Sequence, residues 1–334
     1  MMASDTQHFR GSGWPDVPVD RNPGAADRLP ADNRPEGLRL RLIGIVWEVL
    51  WEAARRLPEA VALGVADVAG RLAYWAAPQA RRRVRRTLSR AVGAADLEPT
   101  VREAFRSYAR YWAESFRAAD LDPDDVARRT ESRGFEFADA VLDEGRGGIM
   151  VLAHHGSWDV AARWAESRGY HLAVVAEVVR PRRLFKKFVQ LREAVGLEVV
   201  PLRRGGDPIR RLREVLTHNH IAGLLSDRDL SGKAPVVTLF GEACRIPAGP
   251  VLLSQRTGAR IIPATMIQRP GPRWYVEAFE PIDPTGLSLA EGCQAVADAI
   301  ERIIRLAPAQ WHAFSPVYLA DLPPRRERKA RATG

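Results

Sequence analysis

Apolar residues follow two different periods along the chain. Over the first third they recur at three- and four-residue spacing, which is typical of amphipathic helices. The third segment is rich in arginine. The pattern predicts four helices: one around Leu40–Ala54, one from Pro58 to Pro78, one around Arg81–Arg90, and one that opens with a capping box of Thr100 and Glu103 and ends before Pro123.

Beyond about residue 147, short runs of aliphatic and β-branched residues alternate with amphipathic stretches. The predicted strands are Ile149–Ala153, Leu172–Glu177, Leu197–Leu202, Ile221–Ser226, Val236–Phe240, Ile261–Met266 and Trp274–Phe279, with a last helix over 287–306. This alternation predicts an α/β fold with a mainly parallel central sheet flanked by helices. We divide the chain into a disordered leader (1–36), an N-terminal helical subdomain (37–125), an α/β core (126–320) and a basic tail (321–334).

Composition narrows the class of protein. The 334 residues are 46% hydrophobic and 27% charged, which excludes a wholly disordered or fibrous chain. The two cysteines, Cys244 and Cys293, form no CxxC motif, which argues against a disulfide scaffold or a zinc finger. The net charge of +9 favours an anionic partner. However, nearly all of the positive charge comes from arginine, and GC-rich coding DNA also produces an excess of arginine.

The N-terminus does not have the pattern of a secretory signal. Its most apolar early stretch, Leu42–Trp47, is followed at once by Glu48 and Glu52, whereas a membrane span needs about 20 apolar residues. We therefore expect a cytoplasmic protein, or one that lies on a membrane from the cytoplasmic side.

Polar side chains follow several of the predicted strands, at the sheet edge where ligands bind in open parallel folds. These residues are His154, Asp159, Glu177, Arg180, Arg203, Arg204, Asp227, Arg228 and Asp229. His154 and Asp159 form an H-x4-D pattern, in which the carboxylate can reach back to orient an imidazole base. The alternatives from spacing alone are a capping aspartate beside a buried histidine, or a metal site completed by a third ligand.

The segment His154–Asp159 resembles the H-S-G-N-W-D block of bacterial lysophospholipid-type acyltransferases, a family that includes the late acyltransferases of lipid A biosynthesis. The resemblance continues through the blocks that begin at Leu191, Gly196, Ser226, Phe240, Pro247, Arg256 and Gln310, and covers roughly 38–318. Within the family it is strongest to members that acylate a mannose hydroxyl of a phosphatidylinositol mannoside. Two positions depart from the pattern: Asp227 replaces a glutamate, and Ser157 replaces an asparagine.

The resemblance implies a glycerolipid acyltransferase-like fold and acyl transfer from acyl-CoA to a glycolipid acceptor. His154 would be the general base and part of the acyl-CoA site, and Asp159 and Asp227 would orient it; which of them contacts the ring is left open. Arg192, Lys233 and Arg256 would bind acyl-CoA. The thioester is already activated, so the resemblance implies no metal and no organic cofactor. Acceptors such as a lipid A precursor or a lysophospholipid remain alternatives.

Trp47, Trp51 and the arginines Arg81–Arg90 suit an anionic membrane surface. The other interpretation is a buried pair of tryptophans and a solvated helix face. Given a lipid substrate, we favour peripheral attachment to the cytoplasmic face of the plasma membrane, against an anionic inner leaflet. A non-catalytic lipid-binding or nucleic-acid-binding protein remains an alternative, but without a nucleic-acid-binding motif we expect no nucleic acid partner.

Overall fold

A computed structural model describes residues 37–177, 181–202, 208–229 and 232–322. The predicted leader, most of the basic tail, Arg180, Arg203 and Arg204 lie outside the described residues, as does the side chain of Glu177. The helices are α1 (Leu38–Arg56), α2 (Glu59–Ala76), α3 (Pro78–Leu88), α4 (Ala94–Arg117), α5 (Pro123–Arg128), α6 (Glu136–Asp143), α7 (Trp158–Ser167), α8 (Arg182–Ala194), α9 (Pro208–Thr217), α10 (Gly249–Thr257) and α11 (Leu289–Leu306). The strands are β1 (Thr130–Arg133), β2 (Gly148–Leu152), β3 (Leu172–Glu177), β4 (Leu197–Leu202), β5 (Ile221–Leu225), β6 (Val236–Leu239), β7 (Glu242–Arg245), β8 (Arg260–Arg269) and β9 (Arg273–Ala278).

The central sheet has seven strands in the order β1-β9-β8-β2-β5-β3-β4. All neighbouring pairs run parallel except β8 and β9, which are antiparallel. The α/β fold with a mainly parallel sheet is therefore confirmed. The predicted strand around Val236–Phe240 is the exception, because it pairs with β7 in a separate two-stranded hairpin.

The register of β2 and β5 brings two polar residues to one place. β2 is buried over most of its length, as an unbroken apolar run predicts for a central parallel strand. Leu152 at its end pairs with Leu225 at the end of β5. His154 and Asp227 each follow two residues later, so the parallel register alone places them side by side.

Helix α4 connects the helical region to the core, and it begins earlier than the sequence predicts. It starts at Ala94 and carries Pro99 inside its second turn. The expected capping box at Thr100 is therefore wrong: the Thr100 hydroxyl donates to the backbone oxygen of Asp96 at 2.6 Å. Packing of the α4 apolar face compensates for the backbone hydrogen bond that a proline removes.

The two tryptophans of α1 point inward, which corrects their assignment to a membrane surface. Trp51 is 5% exposed and stacks on Phe116, with ring centroids 4.8 Å apart. Trp47 packs against Trp112 at the same centroid distance. Burial of these two rings removes more apolar area from water than burial of the smaller aliphatic residues of α1 would.

Aliphatic residues, together with Trp75, form the exposed apolar surface of α1 and α2. We call the α2 part the apolar face; it consists of Val61, Val65, Val68, Leu72 and Trp75, which are 47–69% exposed. On α1, Leu38, Leu42, Val46 and Val49 are also more than half exposed. Exposed apolar residues along one helix face, as on α2, are typical of interaction sites.

Within the described residues, each helix taken alone falls short of the length and apolarity needed to cross a membrane. The α2–α3 pair passes the same test when joined, but it bends by 96° at the junction.

Candidate active site

The imidazole of His154 is held by the carboxylate of Asp227. His154 Nδ1 lies 2.7 Å from Asp227 Oδ1, and the second carboxylate oxygen accepts from Trp311 Nε1 at 3.0 Å. An ionised carboxylate only accepts, so the His154 ring carries its proton on Nδ1 and has its lone pair on Nε2. This is the state that a general base requires.

Asp227 remains charged although it is buried. Burial by itself raises the pKa of this carboxyl, but electrostatic attraction to the His154 ring, together with the hydrogen bonds from His154 and Trp311, outweighs burial. The pKa of Asp227 therefore lies well below the usual range of an aspartate. A fixed negative charge beside the ring stabilises the imidazolium that forms when His154 takes up a proton.

Asp159 contacts a different set of groups. Its Oδ2 accepts from the hydroxyls of Tyr111 at 2.9 Å and Ser115 at 2.8 Å, and its Oδ1 lies 3.5 Å from Arg192 Nε. The H-x4-D spacing thus brings Asp159 to the same site, but the carboxylate that bonds the imidazole is Asp227. Asp159 is instead placed to hold Arg192.

A tight turn between β2 and α7 sets the direction of His154. Gly156 has φ +62°, and a Cβ at this position would lie 1.9 Å from the Met266 carbonyl oxygen on β8. Glycine is therefore required by both backbone conformation and close approach. The next residue, Ser157, makes no side-chain cap to α7; its hydroxyl donates to the buried carboxylate of Glu114 on α4.

A cavity of about 380 Å³ extends from His154 into the molecule, between one face of the sheet and α7. Its inner part is lined by Phe135, Met150, Leu152, Trp164, Leu172 and Val276. Its polar part contains His154, Asp159, Arg192, Arg228 and His312, and Tyr108, Tyr111 and Trp112 of α4 form one wall. The shape and lining suit a long apolar chain whose reactive end lies at His154.

The other two predicted acyl-CoA residues lie away from this cavity. Arg256 is exposed near the C-terminus of α10, just before Arg260, which pairs with Gly148 at the start of β2. It therefore belongs to the amino edge of the sheet, opposite to His154. Lys233 is exposed before β6. Of the predicted residues, the structure brings together His154, Asp159, Asp227 and Arg192.

Several site residues come from parts of the chain that the sequence identified only as a helix or as a family block. Tyr111 and Ser115 are contributed by α4, and Trp311 and His312 by the Gln310–His312 segment. Aromatic residues at helical spacing indicate core packing, so their pattern alone gave no signal of a site. Among the described residues, no group of three or more His, Cys, Asp or Glu side chains is arranged to hold a metal ion.

An imidazole held by a buried carboxylate at the head of an apolar cavity is the arrangement that acyl transfer to a hydroxyl needs. The family model for bacterial lipid A biosynthesis acyltransferases matches residues 36–319, and the chain belongs to this acyltransferase family. It is 36% identical to the phosphatidylinositol mannoside acyltransferase of Mycolicibacterium smegmatis over 84% of this chain and 92% of that protein. It is 35% identical to the protein of the same name from Mycobacterium tuberculosis, over 84% of this chain and 90% of the relative.

Proposed function

We propose that this protein transfers a fatty acyl chain from acyl-CoA to a mannose hydroxyl of a phosphatidylinositol mannoside at a membrane surface. The observation that carries the proposal is the His154–Asp227 pair at the head of the apolar cavity. The names of the two relatives support the choice of acceptor.

In this reaction His154 acts as general base. Its Nε2 takes the proton of the sugar hydroxyl while the hydroxyl oxygen attacks the thioester carbonyl carbon. Asp227 stabilises the imidazolium that results. The new C–O bond forms, the C–S bond breaks, and the proton passes from His154 to the departing CoA sulfur. The products are an ester and free CoA, so the residue returns to its starting state.

The cavity gives the fatty acyl chain its binding site. Aromatic and aliphatic side chains line the inner part, and burial of apolar surface there contributes about 25 cal/mol per Å². The chain lies inward from His154, so its carbonyl carbon sits beside the base. The shape of this cavity therefore sets both affinity and the position of the reacting carbon.

Arg192 is our candidate for binding the phosphate groups of CoA. Its side chain is 21% exposed at the polar part of the cavity, and Asp159 holds it through Nε. A guanidinium anchored in this way presents a planar fork of donors suited to phosphate. We leave Lys233 and Arg256 out of the site because neither lines the cavity.

The exposed apolar face of α2 and the neighbouring arginines of α3 support peripheral binding to an anionic, cytoplasmic membrane surface. Arg82, Arg83, Arg85 and Arg86 are exposed. Arg85 and Arg86 also pair, with Glu98 and Asp321, but both remain more than 60% exposed. Arg90 is not available in the same way, because it is only 13% exposed and pairs with Asp321 and Glu242 at 2.7 Å each. Apolar residues that enter the interface beside basic residues at the headgroups are the usual means of peripheral attachment.

The test is incubation of the purified protein with palmitoyl-CoA and one acceptor at a time, with release of CoA thiol and the mass of the lipid product as readouts. The acceptors are a phosphatidylinositol mannoside, a lipid A precursor and a lysophospholipid. We expect an ester on the mannoside only. An ester on another acceptor would reassign the substrate, and vesicle binding without CoA release from any acceptor would indicate a non-catalytic lipid-binding protein.

A further inference from the structure

His312 is a buried residue of the cavity that the reaction described above does not use. Its ring lines the cavity with His154 and Trp158, and its backbone N–H donates to the carbonyl oxygen of His154 at 2.8 Å. The residue is only 7% exposed, and its Nδ1 has no hydrogen-bond partner among the described residues. A buried polar atom without a partner costs free energy, and native proteins keep few of them.

The other ring nitrogen shows which protonation state His312 adopts. Nε2 lies 3.0 Å from the hydroxyl oxygen of Ser107. The side-chain NH2 of Gln268 faces the backbone oxygen of Ser107 and the carboxylate of Glu114, which both accept only. The amide oxygen of Gln268 therefore faces the Ser107 hydroxyl, which donates its single proton there at 3.0 Å. His312 Nε2 must then be the donor to Ser107.

This chain of hydrogen bonds leaves a lone pair on His312 Nδ1. Burial, followed by the repulsion that a protonated His155 or His154 would exert, holds the pKa of His312 well below its ordinary value, so the ring stays neutral. No described carboxylate hydrogen-bonds to His312, in contrast to His154 beside Asp227. His312 is therefore a poor proton acceptor in catalysis but a good hydrogen-bond acceptor for a hydroxyl group.

We propose that His312 Nδ1 accepts a hydrogen bond from a second hydroxyl of the acceptor sugar, next to the hydroxyl that is acylated. This inference rests on the proposed function and adds a positioning residue to it. The bond would orient the sugar ring so that the reacting hydroxyl faces His154. It would also favour acceptors with neighbouring hydroxyls over lipids that offer a single one, because the single hydroxyl would leave Nδ1 unpaired.

The experiment compares mannoside acceptors that each lack one hydroxyl, with palmitoyl-CoA as donor, in the unaltered enzyme and in His312→Phe and Ser107→Ala. Ser107→Ala removes the group that fixes the His312 tautomer without touching substrate. With the unaltered enzyme, we expect one deoxy acceptor that is still acylated to lose about 10-fold in kcat/KM. His312→Phe should lose a similar factor with the full sugar and nothing further with that deoxy acceptor. Ser107→Ala, which lies outside the cavity lining, should show a smaller loss of the same pattern with an unchanged KM for palmitoyl-CoA.

His155→Gln is the matched control for loss of a buried imidazole, because both nitrogens of His155 are bonded inside the protein, to Thr265 and to the Ala307 carbonyl. This variant should leave the relative kcat/KM values of the deoxy acceptors unchanged. If the loss caused by the variant and the loss caused by the missing hydroxyl add up, in variants that still transfer acyl groups, the inference is wrong and the proposed function stands. If the unaltered enzyme acylates no sugar acceptor, both proposals fail. Ser107→Ala provides the same readout if His312→Phe does not fold.

Discussion

At the scale of single residues, the contact between His154 and Asp227 carries the proposed chemistry. We predict that His154→Ala remains folded and loses about 10²–10⁴-fold in kcat, the usual cost of removing a positioned base. Asp227→Asn should lower kcat by about 10²-fold or more, because the amide cannot stabilise the imidazolium. Release of CoA thiol measures the rate, and circular dichroism checks the fold.

A suitable control for these two variants is His218→Ala. His218 is exposed beyond the end of α9, on the amino side of β5, and its Nδ1 lies 2.7 Å from the Glu214 backbone oxygen one turn earlier. Its turnover should match that of the unaltered protein. Near-normal turnover of His154→Ala would show that His154 is not the general base.

Asp159 and Arg192 should act as one unit. We predict that Arg192→Ala raises the KM for acyl-CoA, and that Arg192→Lys is also impaired because a point charge replaces a planar fork. Asp159→Asn should raise the same KM, since it releases the guanidinium that its Oδ1 holds at 3.5 Å. In the double variant the two effects should be less than additive. Fully additive effects would show that Asp159 acts on something other than Arg192.

A short acyl thioester that lacks the nucleotide separates binding from support of the fold. If Arg192 binds CoA phosphates, this donor should be poor for the unaltered enzyme and should lose little more in Arg192→Ala. Equal losses with CoA and the truncated donor would contradict the phosphate assignment.

At the scale of elements, the turn between β2 and α7 aims His154. We predict that Gly156→Ala destabilises the protein by at least about 2 kcal/mol, because it adds both backbone strain and a clash with the Met266 carbonyl. Urea unfolding measures the loss. Gly64→Ala is the matched control: it lies within α2 with open space around its Cβ and should be stabilising by up to about 1 kcal/mol. A Gly156→Ala protein as stable as the control would show that the turn can relax.

Also at the scale of elements, the apolar face of α2 and the arginines of α3 are the surface that we propose binds the membrane. We predict that replacing Val65, Val68 and Leu72 together by Ser weakens sedimentation with both anionic and neutral vesicles. Replacing Arg82, Arg83, Arg85 and Arg86 by Gln should weaken binding to anionic vesicles only, by about 1 kcal/mol per residue, and added salt should do the same. If vesicle binding is unchanged by the Ser replacements, the Gln replacements and added salt, this surface does not bind the membrane and is a solvated helix pair.

At the scale of the whole molecule, buried histidines should make stability depend on pH. Burial, opposed by the hydrogen bond to the Ala307 oxygen and by the charge of Asp227, lowers the pKa of His155 to about 4, whereas an unfolded chain has the ordinary histidine value near 6.5. Between these values the unfolded chain binds more protons, so the free energy of unfolding falls as pH falls. The contribution of His155 is fully present above pH 6.5 and lost on the way to pH 4.

Calorimetry of the melting temperature between pH 7 and pH 4 tests this dependence. His155→Gln should reduce the slope over that window, and His312, which is also buried and neutral, should account for part of what remains. An unchanged slope in His155→Gln would place the acid sensitivity elsewhere. Asp227 should add a further loss only in more acidic solution, because its folded-state pKa lies below that of a free aspartate.

The sequence by itself determined the fold class, most element bounds of the core and the position of His154, the proposed base. Apolar runs bounded by polar turns predicted β3 and β4 with their observed bounds, and β2 and β5 to within one residue. Strand and helix periods are local properties of the chain, so a single sequence contains them. The sequence did not predict β1, a short strand of mostly exposed residues. It also did not predict the true start of α4, which packing rather than a cap determines.

Only the tertiary structure decided which carboxylate holds His154, because that depends on the register of β2 against β5, a pairing between segments 73 residues apart. The same is true of Asp159, whose partners Tyr111 and Ser115 lie on a helix more than 40 residues earlier. It also decided that Trp47 and Trp51 pack inward while aliphatic residues face outward, since an apolar helix pattern does not say which apolar residues a neighbour covers. Arg256 followed the family block in sequence, yet the parallel sheet carries it to the edge opposite to the base, because each crossover helix returns the chain to the amino ends of the strands.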